Sequence, residues 1–226
     1  MRLVLARHGQ TDSNVRHLLD TTVPGPSLTE LGREQADALA DLLAPQGPGC
    51  VVASSQTRAQ QTAAPLARVL GLRVHVRDGL REIAAGEVEM RGDEASVRTY
   101  LEVVGAWLAG DLDRRMPGAE DGHEFFARYD AAVADAVDLA AAAGAGVLVV
   151  VSHGAAIRTW CGRRAANLDG RYVGATGLLN TGVVELDGDL AAGWVARTWM
   201  GAALDPARAV AAGAGPAGEP VPGPVS

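Results

Sequence analysis

Residues 3–11 have the sequence Leu3-Val4-Leu5-Ala6-Arg7-His8-Gly9-Gln10-Thr11, an apolar run that ends in a cation, an imidazole and a glycine. Four consecutive apolar residues are typical of a strand that is buried on both faces. Arg7 and His8 follow at its carboxyl end, the edge at which open α/β sheets bind ligands. Gly9 lacks a Cβ, so the backbone there can approach a ligand closely. The stretch predicts a buried strand that carries functional residues at its end.

The same construction occurs again at Val147-Leu148-Val149-Val150-Val151-Ser152-His153-Gly154. Arg58 is placed similarly, in the first turn of a predicted helix that follows the predicted strand 50–53. A single histidine at a strand end is more often a hydrogen-bonded structural residue than a catalyst. Carboxyl ends of parallel strands share one edge, however, so a common site is expected for four side chains. These are Arg7, His8, Arg58 and His153.

The bulk composition limits the function classes. With 226 residues, 48% of them hydrophobic and 21% charged, the chain matches a globular protein with one large domain or two small ones. A net charge of −7 argues against a nucleic-acid partner. All 20 basic residues are arginine, which excludes a P-loop lysine and a Schiff-base lysine. Any bound anion must be held by arginine, histidine and backbone N–H groups.

Cysteine usage and hydropathy bear on location. Cys50 and Cys161 are far apart and near apolar segments, so buried reduced thiols and a cytoplasmic protein are expected. Arg7 interrupts the first apolar run after four residues, which is not the pattern of a signal peptide. No apolar stretch approaches the length of a membrane span, so no membrane partner is expected.

Strand and helix patterns alternate along the chain. A loop over 12–26 is followed by a helix capped by Thr29, with an apolar face of Leu31, Leu39, Leu42 and Leu43. Further helices are predicted over 57–70, 97–112, 123–143 and 155–166, and further strands over 72–76, 183–186 and 194–199. Pro65 should kink or divide the helix over 57–70. In the helix over 97–112, the inward side chains are expected to be Tyr100, Leu101, Val104, Trp107 and Leu108.

This alternation predicts a three-layer α/β/α sandwich around a mostly parallel central sheet. We expect a single catalytic domain over residues 1–204. From residue 205 to 226 the chain is Ala, Gly and Pro with hardly any large apolar residue, which predicts a disordered tail.

Five short sequence motifs follow one another along the chain. They are Arg7-His8-Gly9-Gln10-Thr11 with Asn14; Leu28-Thr29-Glu30-Leu31-Gly32-Arg33-Glu34-Gln35-Ala36; Ser54-Ser55 through Arg58-Ala59 to Gln61-Thr62-Ala63; Leu80-Arg81-Glu82-Ile83 with Gly86-Glu87-Val88-Glu89; and Ser152-His153-Gly154. In this order they resemble the histidine phosphatase superfamily, which includes the cofactor-dependent phosphoglycerate mutases. The resemblance extends from Arg2 to about Leu186.

The resemblance implies that His8 attacks phosphorus and becomes a phosphohistidine, and that Glu82 is the general acid. A phosphoryl group spreads its charge over three equatorial oxygens. Arg7 and Arg58 can each offer a bidentate fork to them, and His153 with the Gly154 amide at a helix N-terminus can bind a third. Without the motif, Glu82 would be interpreted as a solvated loop residue.

Other candidates have weaker signals. Gln10 and Asn14 either donate to phosphate oxygens or satisfy the loop backbone. His123-Glu124 lacks a second histidine at helical spacing, so no metal site is predicted. Ser152 lacks the glycine two residues earlier that a hydrolase nucleophile elbow requires.

The chain also departs from the family pattern. Val88 and Met90 stand where many relatives carry tryptophan and glycine, and Asp121 stands where serine or threonine is common. An acidic Asp121 near the mouth of the site would disfavour highly anionic ligands. The span from Glu82 to Pro117 is shorter than in glycolytic mutases, whose insert helps hold a bisphosphate cofactor. Hydrolysis is therefore favoured over mutase transfer.

The sequence thus predicts a metal-independent, cofactor-free phosphatase that acts on a small phosphorylated metabolite. One alternative is a cofactor-dependent phosphoglycerate mutase-type phosphotransferase. A second is a non-catalytic phospho-ligand binding module, which is disfavoured because no catalytic position is substituted. The oligomeric state, monomer or homodimer, is left open.

Overall fold

The protein, described from a computed structural model over residues 1–205, is built on one seven-stranded sheet. The strands are β1 (Arg2–Arg7), β2 (Cys50–Ser54), β3 (Val74–Arg77), β4 (Val147–Ser152), β5 (Val183–Asp189), β6 (Gly193–Trp199) and β7 (Ala202–Ala203). Their order in the sheet is β3-β2-β4-β1-β5-β6-β7. The strands β3, β2, β4 and β1 are parallel, whereas β5, β6 and β7 pair antiparallel.

Seven helices connect and cover the strands. They are α1 (Asp12–Val15), α2 (Glu30–Leu43), α3 (Thr57–Leu70), α4 (Glu94–Ala109), α5 (Gly122–Ala142), α6 (Gly154–Arg164) and α7 (Gly170–Ala175). Short 3₁₀ turns occupy Ala44–Gln46, Asp78–Leu80 and Gly86–Val88. The last two of these turns flank the segment that carries Glu82.

The two faces of the sheet build two separate cores, because successive strand residues point to opposite sides. From β1, Leu3 and Leu5 pack in a core that includes side chains of α4, α5 and α6. Val4 and Ala6 pack in the second core, against α2 and α3. Helices on both faces of a sheet whose centre is parallel confirm the predicted three-layer α/β/α sandwich.

The register of the two central strands positions the site. Strands β1 and β4 pair in parallel with Arg7 opposite Ser152, and the His8 amide donates to the Ser152 carbonyl at 3.0 Å. The two histidines that follow these strands are therefore neighbours at the same edge of the sheet.

The predicted apolar face of α2 is partly wrong. Thr29 does cap the helix, because its side chain accepts a hydrogen bond from the Gly32 amide. Leu39 and Leu43 are buried, but Leu31 and Leu42 are exposed. Eight residues at 100° each turn the helix 80° past two full turns, so Leu31 and Leu39 lie on different faces.

Three other local predictions need correction. Pro65 lies within α3, which continues from Thr57 to Leu70, so it does not divide the helix. In α4, Leu101 is exposed and Val103 is buried in its place. The loop over 12–26 contains the one-turn helix α1, whose capping box is formed by Thr11 and Asn14. The predicted tail lies outside the described residues, apart from Asp205.

Candidate active site

A cavity of about 140 Å³ opens at the carboxyl edge of the parallel strands. Its lining includes five residues proposed from sequence, namely Arg7, His8, Asn14, Arg58 and Glu82. His153 is fully buried behind them, with its ring centroid 5.2 Å from that of His8. The structure therefore brings together side chains from β1, α3, the loop after β3 and the end of β4.

The His8 ring is held in one tautomer. Its Nδ1 lies 2.7 Å from the Gly9 carbonyl oxygen, which can only accept, so Nδ1 carries the proton. Its Nε2 accepts a hydrogen bond from Arg58 Nε at 3.1 Å. Burial, followed by the positive charges of Arg58 and Arg7, holds the pKa of His8 well below its usual value. His8 is thus a neutral imidazole with its Nε2 lone pair directed toward the arginine.

Arg7 and Arg58 bring two guanidinium groups to the cavity without a carboxylate bonded to either. Arg7 Nη1 donates to the Leu178 carbonyl at 2.7 Å, and Arg58 Nη2 donates to the Asp20 carbonyl at 3.0 Å. Burial lowers the pKa of both guanidinium groups, and Glu82 opposes that effect. Among the described residues, Arg7 Nε and Arg58 Nη1 are buried nitrogen atoms without a hydrogen-bond partner.

His153 is oriented by a hydroxyl group. Its Nε2 lies 2.8 Å from Ser54 Oγ, which itself accepts a hydrogen bond from the Gln56 amide at 3.3 Å. The described residues offer the Ser54 hydroxyl proton no other acceptor, so we assign that proton to the bond with Nε2 and the ring proton of His153 to Nδ1. That Nδ1 is another buried nitrogen without a partner in the described structure. Burial, with Arg58 as the next cause, also holds the pKa of His153 well below its usual value.

The Glu82 carboxylate rests on the N-terminus of α6. Its Oε1 accepts hydrogen bonds from the amides of Ile83 and Ala156 at 2.9 and 2.8 Å, and Oε2 accepts one from Ala155 at 3.1 Å. Amides at a helix N-terminus favour such an anionic partner. Oε2 has the fewer contacts of the two oxygens.

Three buried or nearly buried side chains that hold the Glu82 segment were missed from sequence. Gln56 is fully buried, and its Oε1 accepts from the Glu82 amide at 2.9 Å. Arg128 and Glu120 form an ion pair that contacts the backbone on both sides of Glu82. No local pattern marks these residues, because each is 26 or more positions from Glu82 in the chain.

The weaker candidates have other partners. Gln10 does not line the cavity, and its Oε1 accepts a hydrogen bond from the Thr29 hydroxyl at 3.0 Å. Asn14 lines the cavity while its Oδ1 accepts from the Thr11 amide and from Asn180. A Cβ built on Gly154 would lie 3.2 Å from Arg7 Nε, so this glycine allows Arg7 to approach α6.

A second, larger cavity of about 480 Å³ adjoins the first at Thr21, which lines both. Its polar lining residues include Thr22, Glu89 and Glu120. The Glu89 carboxylate accepts hydrogen bonds from the amides of Thr21 and Thr22 and from the Thr21 hydroxyl, so it fixes the loop between the cavities.

The departures from the family pattern have structural counterparts. Met90 adopts φ = +59°, a left-handed conformation that favours the glycine found there in many relatives. Asp121 is not at the mouth of either cavity, contrary to expectation. It caps α5 and pairs with Arg115 at 2.5 Å, so its charge is neutralised locally.

The side chains and helices of residues 1–205 bear on metal and membrane partners. The described side chains include no group of three or more His, Cys, Asp or Glu arranged to hold a metal ion. None of the seven helices has the length and apolar character needed to cross a bilayer. Cys50 and Cys161 are buried free thiols, as expected, and burial raises the pKa of each.

Comparison with known proteins places the chain in a family. The sequence profile of the histidine phosphatase superfamily, branch 1, matches residues 3–200. The PE-PGRS family protein PE_PGRS11 of Mycobacterium tuberculosis is 37% identical over 215 residues, which is 89% of this chain but 36% of that protein's length. A probable phosphoglycerate mutase GpmB of an Enterobacter species is 30% identical over 161 residues, covering 70% of this chain and 71% of the relative.

A solved structure has the same architecture. It is a mycobacterial glucosyl-3-phosphoglycerate phosphatase in complex with VO₃, with 30% identity and a TM-score of 0.72 over 89% of this chain and 99% of that chain. The five motifs, the parallel strand ends and the profile match agree. The chain belongs to branch 1 of the histidine phosphatase superfamily.

Proposed function

We propose that the protein is a metal-independent phosphatase that hydrolyses a small-metabolite phosphomonoester through a phosphohistidine on His8. One observation carries the proposal. The three side chains grouped with the neutral His8 ring each keep one buried nitrogen without a partner in the described structure, namely Arg7 Nε, Arg58 Nη1 and His153 Nδ1. Together with Arg58 Nε, which faces His8, these side chains supply the N–H donors that the equatorial oxygens of a phosphoryl group require.

The first step transfers the phosphoryl group to the protein. A phosphate oxygen accepts from Arg58 Nε, which releases the His8 Nε2 lone pair. Nε2 then forms a bond to phosphorus as the bond between phosphorus and the alcohol oxygen breaks. Glu82 enters this step in its protonated form, and Oε2 gives the proton to the departing alkoxide, so the products are a neutral alcohol and the Glu82 carboxylate.

The second step reverses these roles. A water molecule gives a proton to the Glu82 carboxylate and attacks phosphorus, which breaks the bond to Nε2. Inorganic phosphate leaves, and His8 returns to the neutral tautomer that the Gly9 carbonyl selects. No redox step or added cofactor is needed for this balance.

The second cavity bears on the substrate class. Its size and its carboxylate, hydroxyl and guanidinium lining suit a hydroxylated leaving group that extends past the phosphate. The relative named as a glucosyl-3-phosphoglycerate phosphatase supports this class. We also propose a cytoplasmic location, which the two free thiols support.

The test is phosphate release from a panel that contains sugar phosphates, phosphoglycerates, phosphoserine and glucosyl-3-phosphoglycerate, in excess chelator. We expect turnover that vanadate inhibits. We also expect a phosphoenzyme that is stable in base and labile in acid, and that does not form in His8→Asn. Turnover that chelator abolishes and a divalent ion restores would refute the proposal.

The mutase alternative has one supporting observation, the match to a probable phosphoglycerate mutase. It is distinguished by phosphate exchange between phosphoglycerates without net release and by a requirement for a catalytic bisphosphate. Binding of the panel without turnover or labelling would instead favour the phospho-ligand module.

A further inference from the structure

Arg128 of α5 binds the backbone of the segment that carries Glu82. Its Nη1 donates to the carbonyl oxygens of Gly79 and Arg81 at 2.8 and 2.9 Å. Its Nη2 donates to the carbonyl oxygen of Glu82 itself at 3.0 Å. One guanidinium group thus fixes two peptide units that precede the proposed acid and the one that follows it.

Glu120 completes the arrangement from the loop before α5. Its carboxylate forms two hydrogen bonds with Arg128, at 2.7 Å to Nε and 2.6 Å to Nη2. Its Oε1 also accepts from the Ala84 amide at 3.1 Å, beyond Glu82 in the chain. The side chains of Arg128 and Glu120 are only 14% and 11% exposed. The pair therefore holds the backbone both before and after Glu82.

Single hydrogen bonds from other elements also hold the segment, from Ser152 to the Leu80 carbonyl, from Tyr100 to the Ile83 carbonyl and from the Ala85 amide to Thr21. Glu82 lies between the 3₁₀ turns Asp78–Leu80 and Gly86–Val88 and belongs to no strand or longer helix. Its amide is held by Gln56 and its carboxylate by the amides of Ile83, Ala155 and Ala156. The position of Oε2 relative to His8 thus depends on where the peptide units on either side are fixed.

We infer that Arg128 and Glu120 are positioning residues that set the Glu82 carboxylate at the distance needed for proton transfer. This inference rests on the proposed function, in which Glu82 is the general acid. A buried ion pair adds little to the net stability of a fold, because the cost of removing both charges from water offsets much of their attraction. Stability alone therefore does not explain why this pair is present. A displacement of 1 Å at a reacting group, by contrast, can lower a rate by about 10²-fold.

The test compares two leaving groups. A poor leaving group such as a sugar alkoxide needs a proton, whereas p-nitrophenolate does not. Arg128→Lys retains the charge but loses the planar fork that reaches three carbonyl groups. We expect kcat for the alkyl phosphate to fall by about 10- to 10²-fold. For p-nitrophenyl phosphate we expect a fall of less than about threefold, with KM unchanged for both substrates.

Arg164→Lys provides a matched control. Arg164 also forms a paired contact with a carboxylate, that of Asp130, at 2.6 and 3.0 Å, and lies over a neighbouring aromatic ring, that of Phe126. Arg128 lies over Phe125 in the same way, at 5.0 Å from the ring centroid. Arg164 makes no contact with the Glu82 segment, so its variant should leave both rates unchanged.

Glu82→Gln combined with Arg128→Lys provides the decisive measurement. If Arg128 acts through Glu82, the double variant is no slower on the alkyl phosphate than Glu82→Gln alone. The inference would be overturned if the losses in kcat of the two single variants multiplied in the double variant. It would also be overturned if Arg128→Lys lowered kcat equally for both substrates. If Arg128→Lys does not fold, the same measurements are made on Glu120→Gln. That variant keeps Arg128 but weakens the contact of the Glu120 carboxylate with the guanidinium group. If Glu82→Gln itself shows no preference between leaving groups, Glu82 is not the acid and the inference fails, whereas phosphate release and labelling of His8 test the proposed function separately.

Discussion

The ends of β1 and β4 present the same two residues, a histidine and then a glycine, yet they hold the two rings differently. His8 and His153 are both buried, and both have pKa values well below the usual value. His8 is bonded to a backbone carbonyl that can only accept, which leaves Nε2 as the free base. His153 is bonded through Nε2 to a serine hydroxyl, which leaves Nδ1 as a donor.

This difference assigns the two rings to different chemistry. A ring with a fixed lone pair at Nε2 suits attack on phosphorus, and a ring that presents N–H suits binding a phosphoryl oxygen. The sequence motif alone does not separate these roles, because each histidine ends an apolar strand and precedes glycine. The hydrogen-bond partner makes the distinction, since His8 bonds the Gly9 carbonyl through Nδ1 and His153 bonds the Ser54 hydroxyl through Nε2.

Replacing each histidine with alanine should give the largest contrast. His8→Ala removes the atom that bonds to phosphorus, so kcat should fall by at least about 10⁴-fold on every substrate. His153→Ala removes one oxyanion donor, and a loss of about 10²- to 10³-fold is expected. Single-turnover quench experiments should detect phosphohistidine in His153→Ala but not in His8→Ala. A phosphoenzyme in His8→Ala would contradict the assignment.

Stability should depend on pH through both rings. In the unfolded chain a histidine titrates near 6.5, whereas the lowered pKa values keep both rings neutral in the folded protein. The unfolded state therefore binds more protons below about pH 6.5, so the free energy of unfolding is highest above that pH and falls as pH decreases. The slope should approach about 1.4 kcal/mol per pH unit for each ring.

Urea unfolding between pH 5.5 and 7.5, in buffer free of oxyanions, measures this slope. His8→Asn and His153→Asn each remove one proton-binding group from the unfolded chain. Each variant should therefore reduce the slope by about 1.4 kcal/mol per pH unit. A variant that leaves the slope unchanged would show that its ring becomes protonated without unfolding.

The two glycines should also differ. A Cβ on Gly9 would lie 2.5 Å from the Gly32 carbonyl oxygen in α2, so Gly9→Ala must shift a helix and should cost about 1–3 kcal/mol in stability. The three atoms nearest to a Cβ on Gly154 all belong to the Arg7 side chain, at 3.2–3.4 Å. The free energy of unfolding of Gly154→Ala should therefore stay within about 1 kcal/mol of the parent value. Its inhibition by vanadate should weaken, because the Arg7 side chain must move. Equal stability losses would contradict this contrast.

Ser54→Ala should produce the smallest effect. It removes the hydroxyl that orients His153, and a fall in kcat of up to about 10-fold is expected from one neutral hydrogen bond of about 1 kcal/mol. Ser152→Ala is the matched control, because Ser152 is a buried serine that bonds Tyr129 and the Leu80 carbonyl rather than a histidine. Nitrogen-15 spectra of the rings should show a changed His153 tautomer only in Ser54→Ala.

Much of this arrangement follows from local sequence. Apolar runs before Arg7 and before His153 identify β1 and β4, and a parallel sheet then places both ends at one edge. Helix faces were less predictable, since Leu31 and Leu101 fit an apolar pattern but face solvent. These errors arise because the angular position of a residue on a helix decides burial more than its hydrophobicity does.

The surroundings of Glu82 were beyond local reasoning. Its carboxylate is held by amides more than 70 positions later in the chain, and Arg128 reaches its backbone across 46 positions. Gln56 and Arg128 are ordinary polar residues in helix contexts, and only the assembled fold shows that both contact one loop. Predicting them requires the tertiary structure.

The central position of β1 has a consequence for synthesis of the protein. This strand pairs with β4 from Val147 onward and with β5 from Val183 onward, although it is the first strand made. At about 5–20 residues per second, a ribosome needs roughly 7–30 s between these segments. During that interval His8 already has Gly9 and Arg58, but it lacks the Ser152 carbonyl that accepts from its amide and the His153 ring beside it. A nascent chain that ends before β4 should carry the opening motif and yet show no phosphoryl transfer.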